Sequence, residues 1–272
     1  MMNVNEMTKV EYAQAIANEV GGKIHEVTKN NGITRLGVTK EVESGVAPML
    51  YIDEAYENGE DVMTMAQMFN DAMEQVKEKA TDFDWINSWD NVKDMIRVKL
   101  INKRNAVPVS RSAKARGFSD LIMVPYLTIQ VVGRTGSSVV TDDMIERWGV
   151  TKAKVFNQAI KNIPCKVMPL AEQLAEMSGM DAEEFDSPFI IVTTPEQTYG
   201  AAAILKAREE LNKLCPNGYY VIPSSIHEVL VIPKDVVSGK EELDDMVKEV
   251  NMNCLDPTDV LSDRAYEFAA TA

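Results

Sequence analysis

Cysteine is scarce: Cys165, Cys215 and Cys254 are the only three in 272 residues, and they stand far apart. An odd, widely spaced set excludes a disulfide framework and paired Cys-x-x-Cys zinc knuckles, and it predicts a reducing compartment. Histidine is scarcer still. His25 and His227 both sit in the tetrapeptide Ile-His-Glu-Val, but Lys29 and Val231 occupy the fourth position after them, so neither extends to a His-Glu-x-x-His zinc site. No apolar run approaches the ~20 residues needed to span a bilayer. Residues 1–12 include Glu6, Lys9 and Glu11 and lack the apolar core of a signal peptide. Basic residues are outnumbered, 28 Lys and Arg against 42 Asp and Glu, giving a net charge of -14. Such a surface repels phosphate backbones and anionic lipid, so neither direct nucleic-acid binding nor membrane association is expected. Together these absences predict a cytoplasmic protein with no cofactor and no metal.

What is present reads as a folded chain with a sizeable core, because hydrophobic residues reach 45% and no proline, glycine or serine tract interrupts them. Thr8 and Glu11 form a capping box ahead of Val10, Ala13, Ile16, Ala17 and Val20, which repeat at helical spacing until Gly21-Gly22. Asn31-Gly32 between two alternating runs predicts a hairpin over about 23–39, and a third strand follows Pro48. Val62, Met65, Met68, Phe69, Met73 and Val76 restore the helical period, with the methionines read as core. Residues 1–80 therefore form a helix, three strands and a helix. Residues 81–118 read as a helical connector, with a helix from Asn91 to about Ile101 and a basic cluster at Lys103, Arg104, Arg111, Lys114 and Arg116.

Residues 119–272 read as a C-terminal α+β domain. Leu121–Val132 and 138–140 predict a hairpin, and Thr141 and Thr151 cap two helices. Beyond them come a helix over about 169–177, strands at 189–192 and 200–205, a helix at 206–214, a hairpin over 219–233, and a last helix capped by Ser238 and Glu241. Hairpins with interspersed helices predict an α+β fold with mainly antiparallel sheets, helices packed on them, in two subdomains.

The hairpin loop Pro223-Ser224-Ser225-Ile226-His227-Glu228 is the candidate functional loop, since exposed loops on a rigid sheet carry binding and chemistry. Ser224, Ser225, His227 and Glu228 supply a nucleophile, a base and an orienting carboxylate. Their adjacency counts against a relay, because neighbouring side chains in an extended segment point apart, and no Gly-x-Ser-x-Gly elbow is present. Gly133-Arg134-Thr135-Gly136-Ser137 lacks the lysine and spacing of a phosphate loop, and Asp82, Asp84 and Asn87 lack the glycine of a calcium loop. No catalytic residue is assigned.

Arg147-Trp148-Gly149-Val150-Thr151, Tyr199-Gly200-Ala201-Ala202 and above all Pro223-Ser224-Ser225-Ile226-His227-Glu228-Val229 resemble a bacterial family catalogued as domain of unknown function family 5688. The resemblance implies a cytosolic α+β protein and no established activity, so it carries no functional residues with it. Three expectations follow for function. The first is a non-enzymatic interaction or regulatory protein that meets a protein partner through the 223–228 loop and an acidic surface. The second is a hydrolase using His227 with Ser224 or Ser225, and the third is an acidic mimic of nucleic acid.

Overall fold

The computed structural model describes residues 4–41, 49–79, 83–105, 107–131 and 134–269. Pro48, Asp82, Val132 and Gly133, which entered the readings above, lie outside them. The chain divides into two compact units, residues 1–88 with 129–136 and residues 89–128 with 137–272.

The first unit opens with α1 (Lys9–Val20), whose capping box forms as expected: the Thr8 hydroxyl accepts the Glu11 N–H and the Glu11 carboxylate accepts the Thr8 N–H. A Thr8→Ala variant is expected to lose about 1 kcal/mol of stability, measured by urea unfolding. Strands β1 (Lys23–Thr28), β2 (Thr34–Thr39) and β3 (Leu50–Tyr51) form an antiparallel sheet in that order. The Asn-Gly turn joins β1 to β2 in the register Thr28↔Thr34, with Asn31 in the left-handed region at φ 62°. A short helix absent from the sequence reading, α2 (Asp53–Glu57), precedes α3 (Val62–Lys79). Tyr12, Ile16 and Val20 of α1 meet Val38 of β2 and Met65, Phe69 and Met73 of α3 in one core. Each large side chain buried there contributes about 1.5–3 kcal/mol. Met65 and Met73 are core as expected, whereas Met68 is exposed.

Two polar side chains fasten this core. Tyr12 is fully buried and its hydroxyl donates to the Glu60 carbonyl at 2.8 Å; burial, aided by Glu60 and Asp61, pushes the phenol up to about 12. Asp53 is also buried, and its carboxylate accepts from the Leu36 N–H at 3.1 Å and from Lys9 Nζ at 3.0 Å. These bonds replace the water that the carboxylate loses.

The second unit begins with α4 (Trp89–Val92) and β4 (Ile96–Asn102), followed by β5 (Ala113–Lys114), most of β6 (Leu121–Val131) and half of β7 (Arg134–Val139), whose residues within 129–136 belong to the first unit. The helix expected over 91–101 is thus mostly a strand. Ile96, Val98 and Leu100 are buried and alternate with half-exposed Arg97 and Lys99, the period of two that marks a strand with one covered face. Strand β6 pairs antiparallel with β4 and β5, and β7 pairs with β6.

Helices α5 (Asp142–Arg147) and α6 (Lys152–Lys161) start at Thr141 and Thr151, and each threonine hydroxyl accepts an N–H of the first turn as predicted. Helix α6 packs on β4. Strand β8 (Lys166–Pro169), α7 (Leu170–Ser178), β9 (Ile190–Thr193), α8 (Arg208–Leu214), β10 (Tyr219–Ile222), β11 (Val229–Pro233), α9 (Lys240–Asn253) and β12 (Tyr266–Phe268) complete the unit. Five of these form an antiparallel sheet ordered β12-β10-β11-β9-β8. One face of it buries Ile222 and Ile232 against Leu243 and Val247 of α9. The capping box expected at Ser238 and Glu241 does not form; Gly239 occupies the cap position with no side-chain bond.

Residues 200–205, expected as a strand, form a 3-10 helix instead. Ala201, Ala202 and Ala203 are fully buried there, and the segment packs against β4 and β9. A tight helix of small residues fits where a strand's wider side-chain spacing would not, and periodicity cannot separate the two over six apolar residues.

Candidate functional site

The 223–228 loop joins the central strands β10 and β11, so its ends are fixed by the ladder Ile222↔Leu230. Contrary to the expected exposed loop, Pro223, Ser225 and Ile226 are buried and only Ser224, His227 and Glu228 are half-buried. Its polar groups are engaged internally. Ser224 N–H donates to the Ile222 carbonyl, Ser225 N–H to the Glu228 carbonyl and Ile226 N–H to the Asp259 carbonyl. His227 N–H donates to Ser225 Oγ at 2.9 Å. Both serine hydroxyls donate to one carboxylate oxygen, Glu228 Oε1, Ser224 from 2.9 Å and Ser225 from 2.8 Å.

The imidazole of His227 is turned away from this cluster. Its Nδ1 accepts the backbone N–H of Tyr199 at 3.3 Å, and Nε2 faces Asp259 Oδ1 at 3.6 Å. The Asp259 carboxylate holds the His227 pKa above its ordinary value; burial works against it and Glu228 adds to the rise. The structure therefore brings Ser224, Ser225 and Glu228 together but sets no serine hydroxyl against an imidazole nitrogen. A serine nucleophile requires that contact together with free N–H donors for an oxyanion, and the four N–H groups from Ser224 to His227 are all occupied.

A second loop, residues 194–200, closes over the first. The Thr193 hydroxyl donates to the His227 carbonyl at 2.8 Å. The Tyr199 ring lies parallel to the imidazole, 6.0 Å between centroids, with Tyr126 of β6 edge-on to it at 5.1 Å. Lys99 Nζ sits over the same tyrosine ring, 4.7 Å from its centroid, a cation–π contact. Next to it Arg97 pairs with Glu196 at 3.3 Å. Burial pushes the Glu196 carboxyl up, but its own backbone N–H and Arg97 outweigh that and hold it below the usual range. Burial raises the Tyr126 phenol.

Three non-glycine residues among those described have positive φ, and two of them, Gln197 (φ 51°) and Tyr199 (φ 52°), lie in this loop. Outside an Asn-Gly turn, bulky residues occupy that region only when their surroundings hold them there. The loop also approaches its neighbour very closely: a Cβ on Gly200 would lie 2.3 Å from the His227 carbonyl oxygen and 2.3 Å from Thr193 Oγ1.

Tyr199, Asp259, Arg97 and Lys99 join the site without having been predicted in it. Arg97 and Lys99 had been placed on a helix, and nothing local marks Asp259. The Tyr199-Gly200 pair did stand out, though only as part of the family likeness. Among the described residues no three His, Cys, Asp or Glu side chains gather to hold a metal ion. Cys215 is buried, and burial raises its thiol pKa, which keeps it protonated and unreactive.

Fold and site together define an antiparallel α+β protein in which two loops clasp one another through a histidine. A family model described as a family of unknown function, DUF5688, matches residues 3–270, and the chain belongs to that family. Comparison with curated proteins and with solved structures finds no match. Among the described residues no helix is long and apolar enough to cross a membrane.

Proposed function

We propose that the chain is a non-enzymatic interaction or regulatory protein of the cytoplasm, with the paired loops 194–200 and 223–228 as its contact surface for a protein partner. The internal satisfaction of the 223–228 loop carries this reading: its N–H groups from Ser224 to His227, both serine hydroxyls and both imidazole nitrogens already have partners within the chain. A loop so fixed loses little conformational freedom when a partner docks on it. The half-exposed His227 and Tyr199, with Glu196 at the margin, offer the aromatic and charged groups that interfaces favour. The net charge of -14 favours a partner with a basic surface.

Native mass spectrometry of protein gently purified from its own cytoplasm tests the proposal. The expected result is a complex of defined mass that is lost in a Tyr199→Ala, His227→Ala variant whose circular dichroism is unchanged. A complex that survives in the variant, or covalent labelling of Ser224 or Ser225 by a fluorophosphonate probe, would overturn it.

A further inference from the structure

The two loops meet at one titratable side chain. Because His227 Nδ1 accepts the Tyr199 N–H, that nitrogen must present a lone pair, and the neutral ring carries its proton on Nε2, toward Asp259. A second proton can bind only at Nδ1, where it confronts the Tyr199 N–H donor directly. Protonation thus exchanges the hydrogen bond that ties the loops for a stronger attraction between the imidazolium and Asp259.

We propose that His227 is a proton-operated latch, holding loop 194–200 closed when neutral and releasing Tyr199 when doubly protonated. The loop is poised for release, since Gln197 and Tyr199 sit at positive φ and relax once the contact that fixes them is gone. The backbone of Gln197 also favours the charged ring. Asp259 and Glu228 favour the second proton. Lys99 of β4, over the Tyr199 ring, opposes it at longer range. Arg97 and Glu196 offset one another, and burial raises the Tyr126 phenol.

Asp259 is the largest influence on the ring and raises its pKa above the ordinary value. A histidine whose folded pKa is raised contributes stability that is complete below its unfolded value, about 6.5, and is lost as pH rises through the folded value. Acidification through this window therefore strengthens the fold as a whole while it loosens Tyr199. These opposite directions distinguish a latch from acid unfolding. The latch needs no partner, so it stands independently of the interaction reading.

The test is nitrogen-15 NMR of the full chain from about pH 8 to pH 5, following the two ring nitrogens of His227 and the exchange of backbone amides. The neutral ring is expected to be protonated on Nε2. The Tyr199 amide is expected to exchange about tenfold faster once the ring is charged, while amides of the central strands β10 and β11 keep their protection. In Asp259→Asn both the ring titration and the Tyr199 change are expected to move together to lower pH. In His227→Asn, whose side-chain oxygen can accept the Tyr199 N–H but cannot bind a proton in this range, Tyr199 protection is expected to be independent of pH. A neutral ring protonated on Nδ1, Tyr199 exchange that stays flat through the ring titration, or an unmoved midpoint in Asp259→Asn would overturn the latch.

Discussion

Replacing Gly200 with alanine is expected to destabilise the protein by about 3 kcal/mol or more, among the largest effects of any single-methyl addition in the chain. The added carbon would meet the His227 carbonyl oxygen and the Thr193 hydroxyl at 2.3 Å each and the Thr194 backbone nitrogen at 2.8 Å. Two of those three atoms are backbone, so relief requires that strand β9 or the 223–228 loop shift. Gly32→Ala provides the comparison: its Cβ would meet nothing within 4 Å, but its φ is +76°. There only the left-handed conformation is penalised, at about 1 kcal/mol. Urea unfolding of both variants separates crowding from backbone strain. Equal losses in the two would mean that the Gly200 contact is readily relieved.

The second large effect is expected at Asp120, just before β6. Its Oδ1 accepts the Tyr266 hydroxyl at 2.6 Å, and its Oδ2 accepts the Ser262 hydroxyl at 3.0 Å and the Asn102 amide at 3.2 Å. Asn102 continues the network by donating to the Leu261 carbonyl. Asp120→Ala is expected to cost about 3–5 kcal/mol, because it leaves buried donors without an acceptor. Tyr266→Phe removes one donor and leaves the carboxylate its other partners, so a loss of about 1–2 kcal/mol is expected. Burial alone would raise the Asp120 carboxyl, but Tyr266, Ser262, Arg264 and Asn102 together lower it, while the Tyr266 phenol is pushed upward by burial and by that carboxylate. A carboxyl depressed in the folded state contributes stability that is complete above its unfolded pKa of about 3.9 and is lost as pH falls through the folded value. Thermal unfolding between about pH 5 and pH 2 should therefore show a shallower acid limb in Asp120→Asn than in the parent. Parallel acid limbs would show that Asp120 is not depressed.

The sequence revealed those parts of the fold whose determinants are local. Thr8, Thr141 and Thr151 marked true helix starts because a capping hydroxyl acts within three residues, and Asn31-Gly32 marked a hairpin because positive φ is written in those residue types. The same reasoning failed where burial on several sides removes periodicity. Ala201 to Ala203 are apolar on every side, and β4 was obscured because charged residues followed by apolar ones fit a helical face almost as well as a strand. Of the candidate site, the 223–228 loop and its four polar side chains were legible, but not where they point. Tyr199 and Asp259 reach His227 from 28 residues before it and from beyond α9, and Lys99 reaches the Tyr199 ring from far upstream on β4. No spacing rule in a single sequence links such positions. β12 is equally silent, being three residues long and supported by pairing with β10 and by the Asp120 network.

That last strand bears on how the protein is made. β10 gains one of its two neighbours, through Val221↔Tyr266, only after some forty further residues have been joined, and the Asp120 carboxylate waits 146 residues for the Tyr266 hydroxyl. At about 5–20 residues per second, a nascent chain carries an uncovered edge on β10 for several seconds at the ribosome. During that interval the apolar run Tyr219–Ile222 is an open template for another strand. Chains truncated before Tyr266 should accordingly aggregate or be cleared by proteases.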